Sequence, residues 1–391
     1  MKLPPTIFSL ALFLFVATSL LAQSPRDREI AARFAPVFYQ AIGDDARSDY
    51  ITNFDFDGDW RGDNNWDNVT NKRYPLKAYV YYSLAETTTH WFIHYAVFHA
   101  RDYKGGTTKG RILSEILREG TNRVKEFDPT GMAAEATVAH ENDLEGCLVV
   151  VEKSGSDLSR VRVVYVETLA HNKFLKYTTS ASEQPGATLA VVDRRPLLYV
   201  EAKGHGIQNY LPDQKQAASD ETKSEPENSK MKDADKKSKD KGSKKKDPKD
   251  SKIVIYKFTG RAEQPDKVKT DSCGYELVPI QTTLWQRAQG EANETYGVSF
   301  DYPQLTINVA AKAGSAAERK TKIGLHGVAF LGKQGGQNIA RAPWGWFDVG
   351  EKNQPLGSWF FDPAATIQRH FKLGESFSTV YVRHPILGIG N

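Results

Sequence analysis

The chain of 391 residues is 26% charged and 40% hydrophobic, a balance that excludes wholesale disorder and suffices for one large or two ordinary domains with a substantial core. Much of the basic charge behind its formal net charge of +4 sits in one low-complexity stretch, so the rest gives no argument for nucleic-acid binding. Two cysteines, Cys147 and Cys273, exclude a cysteine-rich zinc module and leave either one long-range disulfide or two buried thiols.

In chain order, the basic start Met1-Lys2 and the run Ile7 to Leu21, apolar apart from Ser9, Thr18 and Ser19, fit a secretory signal peptide. Ala22 before the polar Gln23-Ser24-Pro25-Arg26 places the expected cleavage at the end of residues 1–22. An uncleaved anchor is the alternative, disfavoured because the run falls short of the ~20 apolar residues that usually span a bilayer. The mature part is therefore expected to be secreted or periplasmic, with no transmembrane segment after signal removal.

From Arg26 to Ile42 the apolar residues Ile30, Ala31, Phe34, Val37, Phe38 and Ala41 recur at helical spacing, and Gly43-Asp44-Asp45 ends the pattern. Strands are expected at Leu76 to Leu84, Trp91 to Phe98, Gly146 to Glu152, Val161 to Glu167, Leu197 to Ala202, Ile253 to Phe258, Leu305 to Val309 and Ile323 to Phe330. Short helices are expected at Ile112 to Arg118, Thr282 to Ala288 and Pro363 to Phe371, too short and too irregular for a doubly wound parallel sheet. The fold class is mainly β, a β-sandwich with peripheral short helices. The stretch at about 213–252, built from Lys, Asp, Ser, Glu and Pro, lacks the apolar content to offset chain entropy. It reads as a disordered insertion within a single domain spanning 23–391, with a linker between two domains as the alternative.

Three groups of residues carry chemistry. In His140-Glu141-Asn142-Asp143-Leu144-Glu145-Gly146-Cys147, a strand starting near Asp143 puts Asp143, Glu145 and Cys147 on one face and Leu144 on the other. Two carboxylates so placed need a cation, an arginine or water beside them, and His140 is placed to complete a mixed oxygen and nitrogen site. A solvated strand end is the alternative. Upstream, His99-Ala100-Arg101-Asp102 follows an aromatic strand, and Asp102 reaches the same pocket if the two strands are neighbours; His94 and His99 read as structural histidines.

Asn53 to Asp67 offers many oxygen ligands of the kind calcium prefers, although Trp60 stands where an EF-hand needs glycine. The tail clusters around Trp344, Trp346 and Trp359 read as core aromatics or as a sugar-stacking platform, and Asp362 before Pro363 as a helix N-cap.

The run His94 to Asp102 and the His-x-x-Asp-x-Glu frame of His140, Asp143 and Glu145 resemble the necrosis- and ethylene-inducing-like proteins and the related vacuolar-protein-sorting-like domain. In the first family an Asp after an aromatic strand, with the His, Asp and Glu of Gly-His-Arg-His-Asp-Trp-Glu, lines a divalent-cation pocket on a β-sandwich. The resemblance covers roughly Tyr79 to Tyr210 and implies metal-holding roles for Asp102, His140, Asp143 and Glu145. Asn142 stands where that family has a second His, and Leu144 where it has a Trp. Gly204-His205-Gly206 after Leu198-Tyr199-Val200 resembles a further strand-plus-His feature of these relatives. The expectation is a binding protein that uses calcium, magnesium or manganese to engage a glycan or lipid head group. The alternatives are a metal-dependent hydrolase of a phosphoester or glycan, with His205, Glu145 or His140 moving protons, and a purely structural cation site.

Overall fold

The computed structural model describes residues 24–104, 109–110, 112–114, 116, 139–153, 161–179, 186–212, 252–288, 297–310, 318–331, 340–351, 353–355 and 357–390. The expected signal peptide, nearly all of the Lys-rich insertion and the end of the helix expected at Ile112 to Arg118 lie outside the described residues.

Helix α1 (Pro25–Phe34) opens on Ser24, whose Oγ accepts from the Asp27 N–H at 3.2 Å, with proline in its first turn. It buries Ile30, Ala31 and Phe34. The helix expected over 26–42 is corrected here: it stops at Phe34, and Val37–Ile42 is strand β1. Pro36 is the physical reason, since it offers no N–H and forces Ala35 into extended backbone, ψ 124°. The apolar positions Val37, Phe38 and Ala41 fit either period.

Two short helices, α2 (Ala46–Asp49) and α3 (Asn65–Asn68), precede β2 (Tyr79–Thr87), β3 (His90–Asp102) and β4 (His140–Glu152). There follow β5 (Arg162–Ala170), β6 (Lys173–Thr178), β7 (Ala187–Thr188), β8 (Val191–Val192), β9 (Arg195–Val200), β10 (Ile207–Asn209), β11 (Lys252–Phe258) and β12 (Ser272–Pro279). The hairpin β13 (Gly297–Ala310) and β14 (Glu318–Leu331), then β15 (Ala340–Arg341) and β16 (Tyr381–Arg383), complete the strands among the described residues.

One mixed sheet runs β10-β9-β1-β11-β12-β2-β3-β4-β5-β6-β7. The β1–β9, β11–β12 and β12–β2 pairings are parallel, whereas β2 through β6 pair antiparallel. The sheet curls so that β9 and β10 pack over β4 and β5, which makes its two halves the layers of a sandwich. Phe38, Leu198, Val200, Ile207, Tyr256 and Tyr275 from one half meet Val80, Ile93, Tyr95, Val97, Val149 and Val166 from the other. Cys147 and Cys273 lie buried in that core with free thiols, so the disulfide alternative is set aside. The mainly β class and its peripheral helices stand as expected.

The other face of β2 to β5 is closed by the C-terminal segment. Trp344, Trp346 and Trp359 are fully buried there with Phe360, Phe361 and Ile367. The sugar-platform reading gives way to the core reading, because buried rings present no face to a ligand. Asp362 caps the helix Pro363–His370 by accepting from the Ala365 N–H at 3.3 Å and also accepts from Tyr381 Oη at 2.8 Å.

Candidate cation site

Strands β3 and β4 pair in a register that sets His99 opposite Asp143 and Asp102 opposite His140. The two strands are therefore neighbours, the condition for Asp102 to approach the residues of β4. Strand β4 starts at His140, earlier than expected, so the whole His-x-x-Asp-x-Glu frame lies on it. Asn142 interrupts it with φ 55°, a left-handed backbone that asparagine tolerates better than most residues. Its side chain holds that turn: Nδ2 donates to Gly62 O at 2.7 Å, and Oδ1 accepts from Asn65 Nδ2 at 2.6 Å. Beside it, Glu141 Oε1 accepts from the Trp66 N–H of α3 at 2.5 Å. The Asp/Asn-rich loop therefore braces the site strand. Its own acids are engaged internally, with Asp55, Asp57 and Asp59 accepting from the amides of Asn53, Asn68 and Asn64.

Asp102 and His140 face one another. His140 Nδ1 lies 3.1 Å from Asn142 O, a hydrogen bond only if Nδ1 carries the hydrogen; in the neutral ring that tautomer has its lone pair on Nε2. That Nε2 stands 3.9 Å from Asp102 Oδ2. The other carboxylate oxygen, Oδ1, is buried without a hydrogen bond and faces Lys104 Nζ at 3.8 Å. Burial, opposed by Lys104 and His140, pushes the Asp102 carboxyl up to about 6. Two electron-pair donors held this close in a buried place suit a cation between them.

Asp143 is engaged differently. His205, fully buried with φ 53° in the tight Gly204-His205-Gly206 turn, sits between two carboxylates, with Nδ1 2.8 Å from Asp143 Oδ2 and Nε2 3.3 Å from Asp49 Oδ1. A Cβ on Gly206 would stand 3.1 Å from Ala170 Cβ, so glycine lets the turn pack onto the end of β5. Burial pulls the His205 pKa down, but the hydrogen bonds to Asp143 and Asp49 outweigh it and raise it to about 9. Burial likewise raises Asp143, and its contacts with His205 reverse this and hold it below the usual carboxylate range.

The His99 ring stacks on His205 at 3.7 Å and 2°. Gln40 Nε2 donates to Ala41 O and Glu201 O, so its Oε1, 3.0 Å from His99 Nε2, accepts from that ring. His99 Nε2 thereby carries its hydrogen, and burial together with the neighbouring His205 holds the pKa well below the ordinary value, which keeps the ring neutral. Asp49 Oδ2 accepts from Tyr103 Oη at 2.8 Å and from the Gly43 N–H at 2.7 Å, while the Lys203 N–H donates to Oδ1 at 2.7 Å. Arg101 is anchored on Ser48, Asp45 and Trp66 O.

Asp102 and His140 are thus brought together, Asp143 stands close enough for its charge to raise the Asp102 carboxyl but is itself bonded to His205, and Glu145 lies buried two residues on, opposite Val97. Among the described residues no three His, Cys, Asp or Glu side chains are arranged to hold a metal ion. Sequence reasoning missed Asp49, Gln40 and Tyr103, which no motif marks, gave Arg101 no role although it lies in the quoted run, and took His99 for a plain strand histidine. His94 is structural as expected, with Nε2 3.1 Å from Trp359 O.

No protein-family model and no curated protein matches the chain. Solved structures that match are of the necrosis- and ethylene-inducing type. The non-toxic HaNLP3 protein is 13% identical, with a TM-score of 0.22 over 34% of this chain and 46% of that one, so the chain spans less than half its length. Necrosis and ethylene inducing protein 2 from the agent of cocoa's witches' broom disease is 16% identical, with a TM-score of 0.26 over 48% and 69%. A structure described as a toxin fold for microbial attack and plant defense is 12% identical, with a TM-score of 0.26 over 48% and 71%. No vacuolar-protein-sorting-like domain stands among these three. Likeness at this level carries neither site nor activity across.

Proposed function

We propose that this chain is an exported binding protein that engages a glycan or lipid head group through a divalent cation, with Asp102, His140, Asp143 and Glu145 as the residues that hold it. The observation that supports this most is the pair His140 Nε2 and Asp102 Oδ2, 3.9 Å apart and buried across β3 and β4. The fit is chemical: three carboxylates and one imidazole favour calcium, magnesium or manganese before zinc. Bound there, such an ion would supply an electrophilic anchor for sugar hydroxyl or phosphate oxygens.

The chain's own residues prepare the place. Asn142 fixes the turn that aims His140, His205 restrains Asp143, and the carboxylate of Asp49 balances the imidazolium. His205 suits positioning rather than proton transfer, because both its nitrogens are occupied and it is fully buried. The hydrolase alternative gains no further support from the geometry.

Elemental analysis of the purified chain, beside folded Asp143→Ala and Glu145→Ala variants, tests the reading. About one calcium, magnesium or manganese per native chain, lost in both variants, is the expected result. A native chain that stays empty after each ion is supplied would overturn it.

A further inference from the structure

Away from the cation site, β1 and β9 carry a second recess. Gln40 points inward to His99, so its neighbour Tyr39 projects to the opposite face of the sheet. There Val37, Leu197, Phe258 and Tyr39 line a cleft of about 290 Å³, together with Arg195, Lys257 and Asp193. That volume is at the small end of the roughly 300–1,000 Å³ usual for ligand clefts.

The lining is apolar below and charged at the rim. Tyr39 stacks on Tyr210 at 3.7 Å and 10°, an arrangement that fixes its ring. Arg195 spends one nitrogen on Ala35 O at 3.0 Å and lies 5.7 Å over the Phe258 ring. Exposed Lys257 meets no carboxylate among the described residues, and two cations face the single carboxylate of Asp193. Net positive charge calls for an anion, and the guanidinium offers paired donors that match a carboxylate or sulfate. Tyrosine with an aliphatic floor suits the C–H face of a sugar ring, and its hydroxyl and Asp193 suit the ring's hydroxyls. We infer that this cleft is a second binding site, for a saccharide bearing a carboxylate or sulfate, independent of the cation site.

Calorimetric titration of the mature chain with a galacturonate trimer, a sulfated trisaccharide and an uncharged trisaccharide tests this. Saturable binding of a charged probe, about tenfold or more tighter than the neutral one, is expected. Lys257→Gln, on an exposed side chain, and Tyr39→Ala should each weaken it about fivefold or more. A response to the uronate alone or to the sulfated sugar alone identifies the anionic group. Equal affinity for the neutral probe, no saturable binding, or undiminished affinity in Lys257→Gln would overturn the inference. Chelator and Asp143→Ala should leave the titration unchanged, which separates this site from the cation site; loss of binding under chelation would also overturn it.

Discussion

At the scale of single residues, His205 is the most tightly committed side chain of the site. Its two nitrogens face the buried carboxylates of Asp143 at 2.8 Å and Asp49 at 3.3 Å, and the contact holds the Asp143 carboxyl below the usual range. Removing one member of a buried ion network leaves uncompensated charge, so His205→Ala is expected to lose about 3–5 kcal/mol of stability in urea unfolding at neutral pH. A loss under about 1 kcal/mol would show that the two carboxylates are not held by this ring. Asp102 makes the opposite case. Its folded pKa of about 6 stands above the ordinary 3.8, so its contribution is present below the ordinary value and is lost as pH rises through 6. At about pH 7.5 the ionised carboxylate therefore weakens the fold, and Asp102→Asn should stabilise it by roughly 1–3 kcal/mol. The gain should vanish near pH 4, and the variant should no longer be stabilised by added calcium or manganese. A variant less stable than the native chain at pH 7.5 would sink this reading.

Strand β4 shows how an element carries the site. On one face it presents Asp143, Glu145 and Cys147; on the other, Leu144 and Gly146 meet the C-terminal aromatics. Trp346 Nε1 donates to Leu144 O at 3.0 Å, and a Cβ on Gly146 would stand 2.2 Å from Trp346 Cη2 and 2.8 Å from Tyr95 O. Gly146→Ala is thus overpacked against both a ring and a backbone and should lose about 1–3 kcal/mol or more in thermal or urea unfolding. Gly146→Ala combined with Trp346→Leu should recover part of that; no recovery would place the strain in the Tyr95 backbone instead. The strand and its polar face were legible in the sequence, because alternation survives wherever one face meets a core. The start at His140 was not, since Asn142 breaks the alternation and depends on Gly62 and Asn65, some eighty residues upstream. Strand β1 was misread because three apolar positions satisfied two periods at once, with Pro36 as the overlooked signal. Strand β12 carried its signal in Cys273, Tyr275 and Leu277, alternate residues that reach the core. Asp49 stayed hidden for a different reason: its role arises from a fold that joins α2, β4 and the turn after β9.

For the whole molecule, the buried titratable groups set a pH of greatest stability. His90 and His384 are held down to about 4 and His94 to about 3, each mainly by burial, and His99 also lies well below 6.5. For these depressed groups the neutral ring is favoured in the fold, so their stability is present above about 6.5 and is lost as pH falls toward 4. Asp102 and Asp362, each raised by burial to about 6, act in the opposite sense over the same range, but the four histidines outnumber them. Above 6.5 the sign turns. His205, raised to about 9 against an ordinary 6.5, contributes stability that is present below 6.5 and is lost as pH rises through 9. Urea midpoints measured from about pH 4.5 to 8 should therefore peak near 6.5, with limbs limited to roughly 1.4 kcal/mol per pH unit for each unbalanced proton. Below about pH 8 the alkaline limb belongs chiefly to His205, since the buried thiols of Cys147 and Cys273, also raised by burial, act only from about pH 9 upward, so His205→Ala should flatten the limb in this range and leave the acid limb in place. An alkaline limb that persists in that variant would mean that another group, rather than the imidazolium between Asp49 and Asp143, titrates with folding.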